Sequence, residues 1–183
     1  MSTTKSEEIS FIRREEFAIG AAERRAVKKL LRSAFPGFPD RTFYRQLPDF
    51  RLLGYADEQL MAHMAVEHRL INNAGQLLEV FGVMDLCVDA LFQRRRIASR
   101  MLEQLADLGR SHQVDFLVLL ASQHQLYLEH GFRLVQHPCV WMMISGDQTL
   151  GVARRSVNTS LMVKSLGKRE WEEGLVDFLG PIF

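Results

Sequence analysis

The sequence predicts an α/β protein in which helices flank a mixed, mostly antiparallel central sheet. Strand-like segments at 51–56, 60–71 and 77–88 follow one another across short polar turns, which is typical of an antiparallel meander. The apolar pattern then changes from strand to helix at Gln93. A continuous apolar run at 115–121 has the length of a strand that is buried on both faces. By the rules of layer packing, this order places helices on both sides of the sheet.

The size and charge of the chain exclude several classes of protein. Its 183 residues are enough for one well-cored domain and few for two, so we expect a single domain over residues 1–183. A formal net charge of +1 gives no field that would gather nucleic acid or an anionic membrane. No apolar stretch approaches the roughly 20 residues that span a bilayer, and Met1 to Ser10 is polar. We therefore expect a cytoplasmic protein that binds neither nucleic acid nor membrane.

The elements before the meander are a strand and a helix. The segment from Ser10 to Ala18 alternates weakly and is predicted to be a strand. The segment from Ala21 to Phe35 carries apolar residues at helical spacing among many charges. Two prolines and a glycine in the loop from Pro36 to Asp40 end this helix. We expect Asp40 to cap a short second helix that runs through Arg45.

Further elements follow the central helix. A helix is predicted from Gln123 to His130, and two strands, Phe132 to Val135 and Val140 to Ser145, are predicted to close the fold as a pair. Leu161 to Val163 is another strand candidate. The apolar C-terminal end from Gly174 to Phe183 is expected to pack against the fold.

The clearest functional signal is the strand, turn and helix from Val83 to Leu102. The strand ends near Val88, and apolar residues after the turn fall at helical spacing, so the first helical turn exposes backbone N–H groups. These groups carry the positive end of the helix dipole, and the consecutive arginines Arg94 to Arg96 add formal positive charge. The pattern favours a phosphate-bearing ligand over the alternative of a merely solvated helix start.

Two motifs in this region resemble those of the GNAT acyl-coenzyme A transferases. The segment Gln93-Arg94-Arg95-Arg96-Ile97-Ala98 resembles the family's Gln/Arg-x-x-Gly-x-Gly/Ala pyrophosphate loop. Leu126-Tyr127-Leu128-Glu129-His130-Gly131-Phe132 resembles the family's Leu-Tyr-x-x-x-Gly-Phe segment. The resemblance covers roughly Leu60 to Ile144 and implies a single-domain GNAT fold. In one departure, Arg96 stands where the family usually has a glycine that lets the backbone approach the pyrophosphate.

The resemblance implies a co-substrate and two groups of site residues. Acetyl-coenzyme A would be bound at its pyrophosphate by the loop from Gln93 to Ala98, and its pantetheine arm would be lined by main-chain groups of Leu86, Cys87 and Val88. Tyr127 would be the general acid that protonates the leaving thiolate. The alternative for Tyr127 is a packed tyrosine with a satisfied hydroxyl group.

Shorter matches resemble the aminoglycoside 2′-N-acetyltransferases. They comprise the segment from Leu60 to Leu70, the loop that ends at Asp40 and the acidic, aromatic C-terminal end; the Ala-His-Met segment is also similar to nodulation N-acyltransferases. They imply an acceptor side bordered by Asp40, Glu67, Glu79 and Phe183. Carboxylates that hold ammonium groups, with an aromatic ring beside them, suit a cationic amine of the aminoglycoside or polyamine kind.

Asp85 is the candidate general base that takes a proton from the amine, either directly or through water. It lies one residue from the acidic position that the aminoglycoside enzymes lead us to expect, where this chain has Met84. A shift of one residue on a strand reverses the face, so this role needs a local bulge. Without a bulge, Glu67, Glu79 or Asp40 is the alternative base.

The cysteines and histidines predict no metal site. Cys87 and Cys139 lie in apolar runs without spaced cysteine or histidine partners, so we expect buried thiols rather than a disulfide, a zinc site or a nucleophile. His63 and His68 are five residues apart, which places them on opposite faces of a regular strand.

The sequence thus predicts an N-acetyltransferase that transfers an acetyl group from acetyl-coenzyme A to a primary amine of a small molecule. A longer acyl donor is one alternative, and a non-catalytic coenzyme-binding or sensor module is another. The acceptor and the oligomeric state are open, with a homodimer as one option.

Overall fold

The computed structural model describes residues 8–183, which form a mixed α/β fold. Its helices are α1 Ala21–Ala34, α2 Ile97–Ser111 and α3 Gln125–Glu129. Its strands are β1 Ile9–Glu15, β2 Phe50–Ala56, β3 Gln59–Asn73, β4 Gln76–Val88, β5 Phe116–Leu120, β6 Arg133–Leu134, β7 His137–Ser145, β8 Gln148–Val157, β9 Leu161–Ser165 and β10 Val176–Pro181. The predicted class, with a mostly antiparallel sheet, is confirmed. None of these helices has the length and apolar character to cross a membrane.

The chain divides into two compact units. The first unit comprises the chain up to Ala65 together with Asp85–Met101, and the second comprises Val66–Met84 and Leu102–Phe183. The strands β3 and β4 and the helix α2 each continue from one unit into the other. Of the predicted N-terminal polar segment, residues 1–7 lie outside the described residues.

In the first unit, α1 packs on the sheet through one apolar stripe. The stripe residues Val27, Leu30 and Leu31 recur at helical spacing and are buried in a cluster with Leu53 and Cys87. Strand β1 pairs antiparallel with β2 along its whole length. The predicted first strand is shorter than expected, because the chain turns into a short 3₁₀ helix after β1.

In the second unit the strand order is β6-β9-β5-β4-β3-β10-β7-β8. Strand β5 pairs parallel with β4 and β10 pairs parallel with β7, whereas β3–β10, β5–β9, β6–β9 and β7–β8 are antiparallel. The C-terminal strand β10 therefore lies between β3 and β7, which confirms that the apolar end packs against the fold. Its residues Val176 and Phe178 are buried in the core with Phe116 and Trp171.

The predicted closing pair is wrong. The first predicted strand forms β6, which pairs with β9, and the second forms β7, which pairs with β8 and β10. We did not predict β8. The available signal was the dipeptide Gly146-Asp147, which suits a two-residue hairpin turn. In the structure both residues have a positive φ, at 55° and 65°, as such turns require.

The predicted second helix is also wrong. Asp40 does not cap a helix, because its carboxylate is paired with Lys28 and Arg32 of α1. The following loop is irregular, and the Arg41 guanidinium donates to the carbonyls of Phe43 and Tyr44 within it.

Candidate active site

Strand β4 departs from extended geometry at Asp85. The φ angle of Asp85 is 51°, in the left-handed region that residues with a side chain rarely adopt. A left-handed residue inside a strand is a local irregularity of the kind found at β-bulges, which turn side chains away from the regular alternation. The sequence required such an irregularity if Asp85 was to act as the base, and β4 has one at this residue.

The carboxyl group of Asp85 is partly buried beside positive charge. Burial raises the pKa of Asp85 to about 6, and the nearby charges of Arg51 and Arg45 lower it by less. A carboxyl group with a pKa of about 6 is mostly ionised at neutral pH and binds a proton more strongly than an exposed aspartate. Both properties suit a general base that works near pH 7.

A buried polar network lies behind Asp85 in the same unit. Nε of Arg51 donates to Oε2 of Glu16 at 2.7 Å, and Nη1 of Arg51 lies 2.8 Å from Nε2 of His63. Nδ1 of His63 lies 2.9 Å from the main-chain oxygen of Asp85. Arg51 and His63 are fully buried and Glu16 is nearly so. We call these three residues the Glu16–Arg51–His63 network.

The network fixes the tautomer of His63. A guanidinium group only donates, so Nε2 of His63 must accept from Arg51, and Nδ1 must then carry the proton that it donates to the Asp85 carbonyl. Burial and the Arg51 charge lower the pKa of His63 to about 3, so the imidazole is neutral at physiological pH. Nη2 of Arg51 has no hydrogen-bond partner within residues 8–183, and its charge is paired with Glu16 through Nε.

The turn after β4 is held by local hydrogen bonds. The side-chain amide of Gln93 donates from Nε2 to the carbonyl of Val88 at 3.1 Å. The carboxylate of Asp89 accepts from the backbone N–H of Leu91 at 3.0 Å. The N–H of Asp89 in turn donates to the carbonyl of Met61 on β3. The start of the predicted pyrophosphate loop is therefore fastened to two strands.

The loop itself uses left-handed backbone at two arginines. Arg94 has a φ of 63° and Arg96 has a φ of 59°. Arg96 thus adopts, without being glycine, the backbone conformation that glycine adopts at low cost. For a residue with a side chain, this conformation costs roughly 1–2 kcal/mol. The departure from the family motif changes the residue and keeps a backbone conformation that glycine favours.

The loop and the start of α2 fit a phosphate-bearing group. Arg94, Arg95 and Arg96 are exposed, and α2 begins directly after them at Ile97. The first helical bond runs from the N–H of Arg100 to the carbonyl of Arg96. By helix geometry, the N–H groups of the first turn have no acceptor inside the helix. The three arginines immediately precede this turn in the chain, and the guanidinium carbon of Arg95 lies 5.0 Å from the centroid of the Phe92 ring.

Leu86, Cys87 and Val88 lie beyond the stretch where β4 pairs with β5, which runs from Val80 to Val83. Cys87 and Cys139 are both buried free thiols, as predicted. Burial, with a smaller contribution from the charge of Asp85, raises the pKa of the Cys87 thiol to about 12. A thiol that stays protonated is a poor nucleophile, which agrees with the prediction that Cys87 is not a nucleophile. The role of its main chain in binding coenzyme stays a prediction.

Tyr127 lies in the second unit, on the short helix α3. Its ring contacts Phe132 edge-to-face, with 5.6 Å between centroids, and its main-chain carbonyl accepts from the N–H of Phe132. The side chain is half-buried, and burial raises the pKa of its hydroxyl group. The hydroxyl is therefore protonated at neutral pH, as an acid must be. Its catalytic role stays a prediction.

The predicted acceptor carboxylates already have side-chain partners within the chain. Glu67 is buried and lies 3.0 Å from Nη1 of Arg69, while Glu79 lies 2.6 Å from Nε2 of His68. In the first unit, the exposed Asp40 has a lowered pKa, caused first by its hydrogen bond with Lys28. An acceptor ammonium at any of these groups would share the carboxylate with the existing partner. Their acceptor-binding role also stays a prediction.

Phe183 is held on the second unit by three contacts. Its ring meets Phe178 edge-to-face, with 5.6 Å between centroids. The guanidinium carbon of Arg69 lies 4.0 Å from its centroid, and Nη2 of Arg69 donates to the carbonyl of Pro181. The ring also fills the space where a side chain at Gly82 would lie. The C-terminal residue is thus an ordered aromatic surface next to the Glu67–Arg69 pair.

Sequence reasoning missed the Glu16–Arg51–His63 network. The available signal was Arg51 inside the apolar segment Phe50 to Leu53, because a cation buried in a strand needs a partner. Nothing local in the sequence identified Glu16 as that partner, since the two residues are 35 positions apart.

Residues 8–183 contain no cluster of three or more histidine, cysteine, aspartate or glutamate side chains placed to hold a metal ion.

Comparison with solved structures identifies the fold. The GNAT family N-acetyltransferase YhbS of Escherichia coli, solved in complex with CoA, is 18% identical, with a TM-score of 0.64 over 93% of this chain and 90% of that one. An acyl-CoA N-acyltransferase of Pseudomonas aeruginosa is 12% identical, with a TM-score of 0.59 over 86% and 100%. ElaA of E. coli is 14% identical, with a TM-score of 0.57 over 86% and 100%. The expected GNAT fold is confirmed.

Comparison at the level of sequence identifies the family. No curated protein sequence matches the chain. The model of the acetyltransferase (GNAT) domain matches residues 18–135, more than half of the chain, including Asp85, the loop from Gln93 to Ala98 and Tyr127. The chain therefore belongs to the GNAT acetyltransferase family, and it is an acyltransferase.

Proposed function

We propose that the protein transfers an acetyl group from acetyl-coenzyme A to a primary amine of a cationic small molecule of the polyamine or aminoglycoside kind. The observation that carries the proposal is the succession of two features in one unit. Strand β4, with left-handed backbone and a partly buried carboxyl group at Asp85, runs into a loop whose Arg94 and Arg96 are left-handed at the start of α2. The first feature supplies a base, and the second supplies an anion site.

The loop from Gln93 to Ala98 would hold the pyrophosphate of the coenzyme. Its exposed arginines supply positive charge, and the first turn of α2 supplies N–H donors. Main-chain groups of Leu86, Cys87 and Val88 would hold the pantetheine arm. Acetyl-coenzyme A supplies the activated acyl group as a thioester.

The reaction needs two proton transfers, and the chain offers one group for each. The amine forms a C–N bond to the acyl carbon, the C–S bond breaks, and the amine loses one proton while the thiolate gains one. The carboxylate of Asp85, with its pKa raised to about 6, would accept the amine proton. The hydroxyl of Tyr127, which burial keeps protonated, would supply the proton to sulfur.

The acceptor class rests on the charges available to hold it. Arg69 forms an ion pair with Glu67, and its guanidinium group lies over the ring of Phe183. A polycationic amine would compete with Arg69 for Glu67 and cover its apolar part on the Phe183 ring.

Two measurements test the proposal. Titration calorimetry with acetyl-coenzyme A should give a binding isotherm that Arg94→Ala weakens, with Arg133→Ala, an exposed arginine of β6, as the control. Thiol release should then show turnover with spermidine or tobramycin. The absence of binding heat at millimolar acetyl-coenzyme A would refute the coenzyme assignment. Turnover only with octanoyl-coenzyme A would replace the acetyl donor, and turnover only with a peptide amine would replace the acceptor.

A further inference from the structure

The left-handed backbone at Asp85 has a specific support, because its main-chain oxygen accepts a hydrogen bond from Nδ1 of His63. We propose that His63, oriented by Arg51, is a positioning residue that holds the left-handed backbone at Asp85 and thereby directs the carboxylate used in the reaction. The inference rests on the proposed role of Asp85 as the base. It goes beyond that role, because it assigns to a buried histidine outside the reacting groups the task of placing it.

The support comes from across the sheet and is independent of the loop that follows Asp85. His63 lies on β3 and Arg51 on β2, so the hydrogen bonds run from strand to strand and end on β4. Glu16 anchors the far end through Nε of Arg51 and is itself held by Arg24, whose Nη1 lies 2.9 Å from Oε1 of Glu16. Arg51 can therefore not swing away from His63 without leaving the Glu16 carboxylate.

Only one tautomer of the His63 imidazole forms hydrogen bonds with both Arg51 and the Asp85 carbonyl. If the ring carried its proton on Nε2, that proton would face the Nη1 donor of Arg51, and the Asp85 carbonyl would face a lone pair on Nδ1. Arg51 thus selects the tautomer that donates to Asp85. Burying the Arg51 charge costs desolvation free energy, and a neutral imidazole offsets that cost less than a second carboxylate would. Stability alone is therefore a poor explanation for the Arg51–His63 contact.

The charges around Asp85 are accounted for on each neighbouring element. The charges of Arg51 on β2 and of Arg45 in the loop before β2 lower the pKa of the Asp85 carboxyl group. The charge of Asp85 helps to raise the pKa of Cys87 on β4, which stays a neutral thiol. His63 has its pKa lowered to about 3, so it stays neutral while Asp85 titrates. The pH profile of the reaction therefore reports Asp85, and a change in the network is visible as a shift of that profile.

Three variants separate positioning from general stability. His63→Leu removes both hydrogen bonds and keeps apolar bulk. In His63→Asn the side-chain amide nitrogen lies close to the place of Nδ1, so the donor to Asp85 is kept while the bond to Arg51 is lost. His137→Leu is the control, because His137 is also buried and accepts a hydrogen bond from Trp171, but it lies in the other unit.

The first readout is the pKa of Asp85, measured by carboxyl-carbon NMR on protein labelled at aspartate, with the Asp85 signal assigned from Asp85→Asn. We expect His63→Leu to lower the pKa of Asp85 toward its ordinary value, because the relaxed strand exposes the carboxyl group to water. His63→Asn should retain most of the wild-type value. His137→Leu should leave it unchanged. An unaltered pKa of Asp85 in a folded His63→Leu protein would overturn the inference. A fall of this pKa in His63→Asn as large as in His63→Leu would also overturn it, because the hydrogen bond donated to Asp85 would then not set the pKa.

The second readout is a double-mutant cycle on kcat with acetyl-coenzyme A and spermidine or tobramycin as probes. His63→Leu should lower kcat tenfold or more and shift the acid limb of its pH profile, while coenzyme affinity stays within twofold of wild type. In the Asp85→Asn background the same change should have little further effect, because positioning acts only through Asp85. Equal losses in both backgrounds would refute positioning. Full activity of Asp85→Asn would instead refute the proposed base and leave the NMR result as a separate finding.

Discussion

The ring of Phe183 occupies the space above Gly82 on β4 that a side chain at that position would fill. A Cβ at residue 82 would collide with Cε1, Cδ1 and Cζ of the ring, so Gly82 is required by the position of the C-terminal residue. The same ring is held by Arg69 and Phe178. Residues about 100 positions apart in the chain therefore form one packed layer in the second unit.

Gly82→Ala should displace Phe183 and destabilise the protein by about 1–3 kcal/mol, the usual cost of overpacking. The free energy of unfolding from urea titrations checks this. Gly167→Ala is the control, because a Cβ at Gly167 meets no atom within 4 Å. In a Phe183→Ala background, Gly82→Ala should cost much less. An equal cost in both backgrounds would mean that the ring is not what the added methyl group meets.

Arg96 provides the second prediction. Arg96→Gly and Arg96→Ala both remove the charge, but only glycine relieves the left-handed φ of 59°. We expect the glycine variant to be about 1 kcal/mol more stable than the alanine variant. We also expect it to bind acetyl-coenzyme A more tightly than the alanine variant, because the loop can approach the pyrophosphate. Calorimetry and urea unfolding measure the two differences, and equal values for the two variants would show that the loop is not strained at Arg96.

Most of the elements could be predicted because their signals are local. The turn Ala74-Gly75 and the change of period at Gln93 fix β3, β4 and α2 to within a few residues. The pairing of β10 between β3 and β7 depends on contacts of high sequence separation, and no local pattern encodes it. The missing helix after Asp40 has a different cause, since its carboxylate pairs with Lys28 and Arg32 of the preceding helix α1 instead of capping a new one.

The candidate site divides in the same way. The loop from Gln93 to Ala98 was visible as a contiguous motif, whereas the Glu16–Arg51–His63 network is assembled from three distant segments. The need for a local bulge at Asp85 could be stated from the sequence, but nothing local indicated which residue would support such an irregularity. The residue that we propose to hold it is His63, which donates to the main-chain oxygen of Asp85 and which the sequence offered only as a histidine on a strand.

Tyr127→Phe tests the proposed general acid. The substitution removes only the hydroxyl group and keeps the edge-to-face contact with Phe132. We expect kcat to fall roughly 10²-fold or more, the scale of general acid catalysis, while the dissociation constant of acetyl-coenzyme A changes little. Phe132→Leu serves as a control, because it perturbs the same packing and leaves the hydroxyl in place. Unchanged turnover in Tyr127→Phe would assign the tyrosine to packing alone.

The two shifted groups of the first unit predict opposite effects of pH on stability. The pKa of Asp85 is raised from 3.8 to about 6, so between these values the native state holds a proton that the unfolded state has lost, and stability falls as pH rises. The pKa of His63 is lowered from 6.5 to about 3, so the unfolded state binds the extra proton, and stability rises with pH across that window. From about pH 4 to pH 6 the two contributions oppose each other.

Asp85→Asn should unmask the histidine. Without the carboxyl group, the contribution of His63 is no longer opposed, and the free energy of unfolding of the variant should rise relative to wild type by up to ~1.4 kcal/mol per pH unit between pH 4 and pH 6. Urea unfolding of both proteins at half-unit intervals measures the difference, in which all other titrating groups cancel. Above pH 6.5 the difference should be constant. A difference that is flat from pH 4 to pH 6 would show that Asp85 titrates at its ordinary pKa, and the carboxylate would then lack the proton affinity that the proposed base requires.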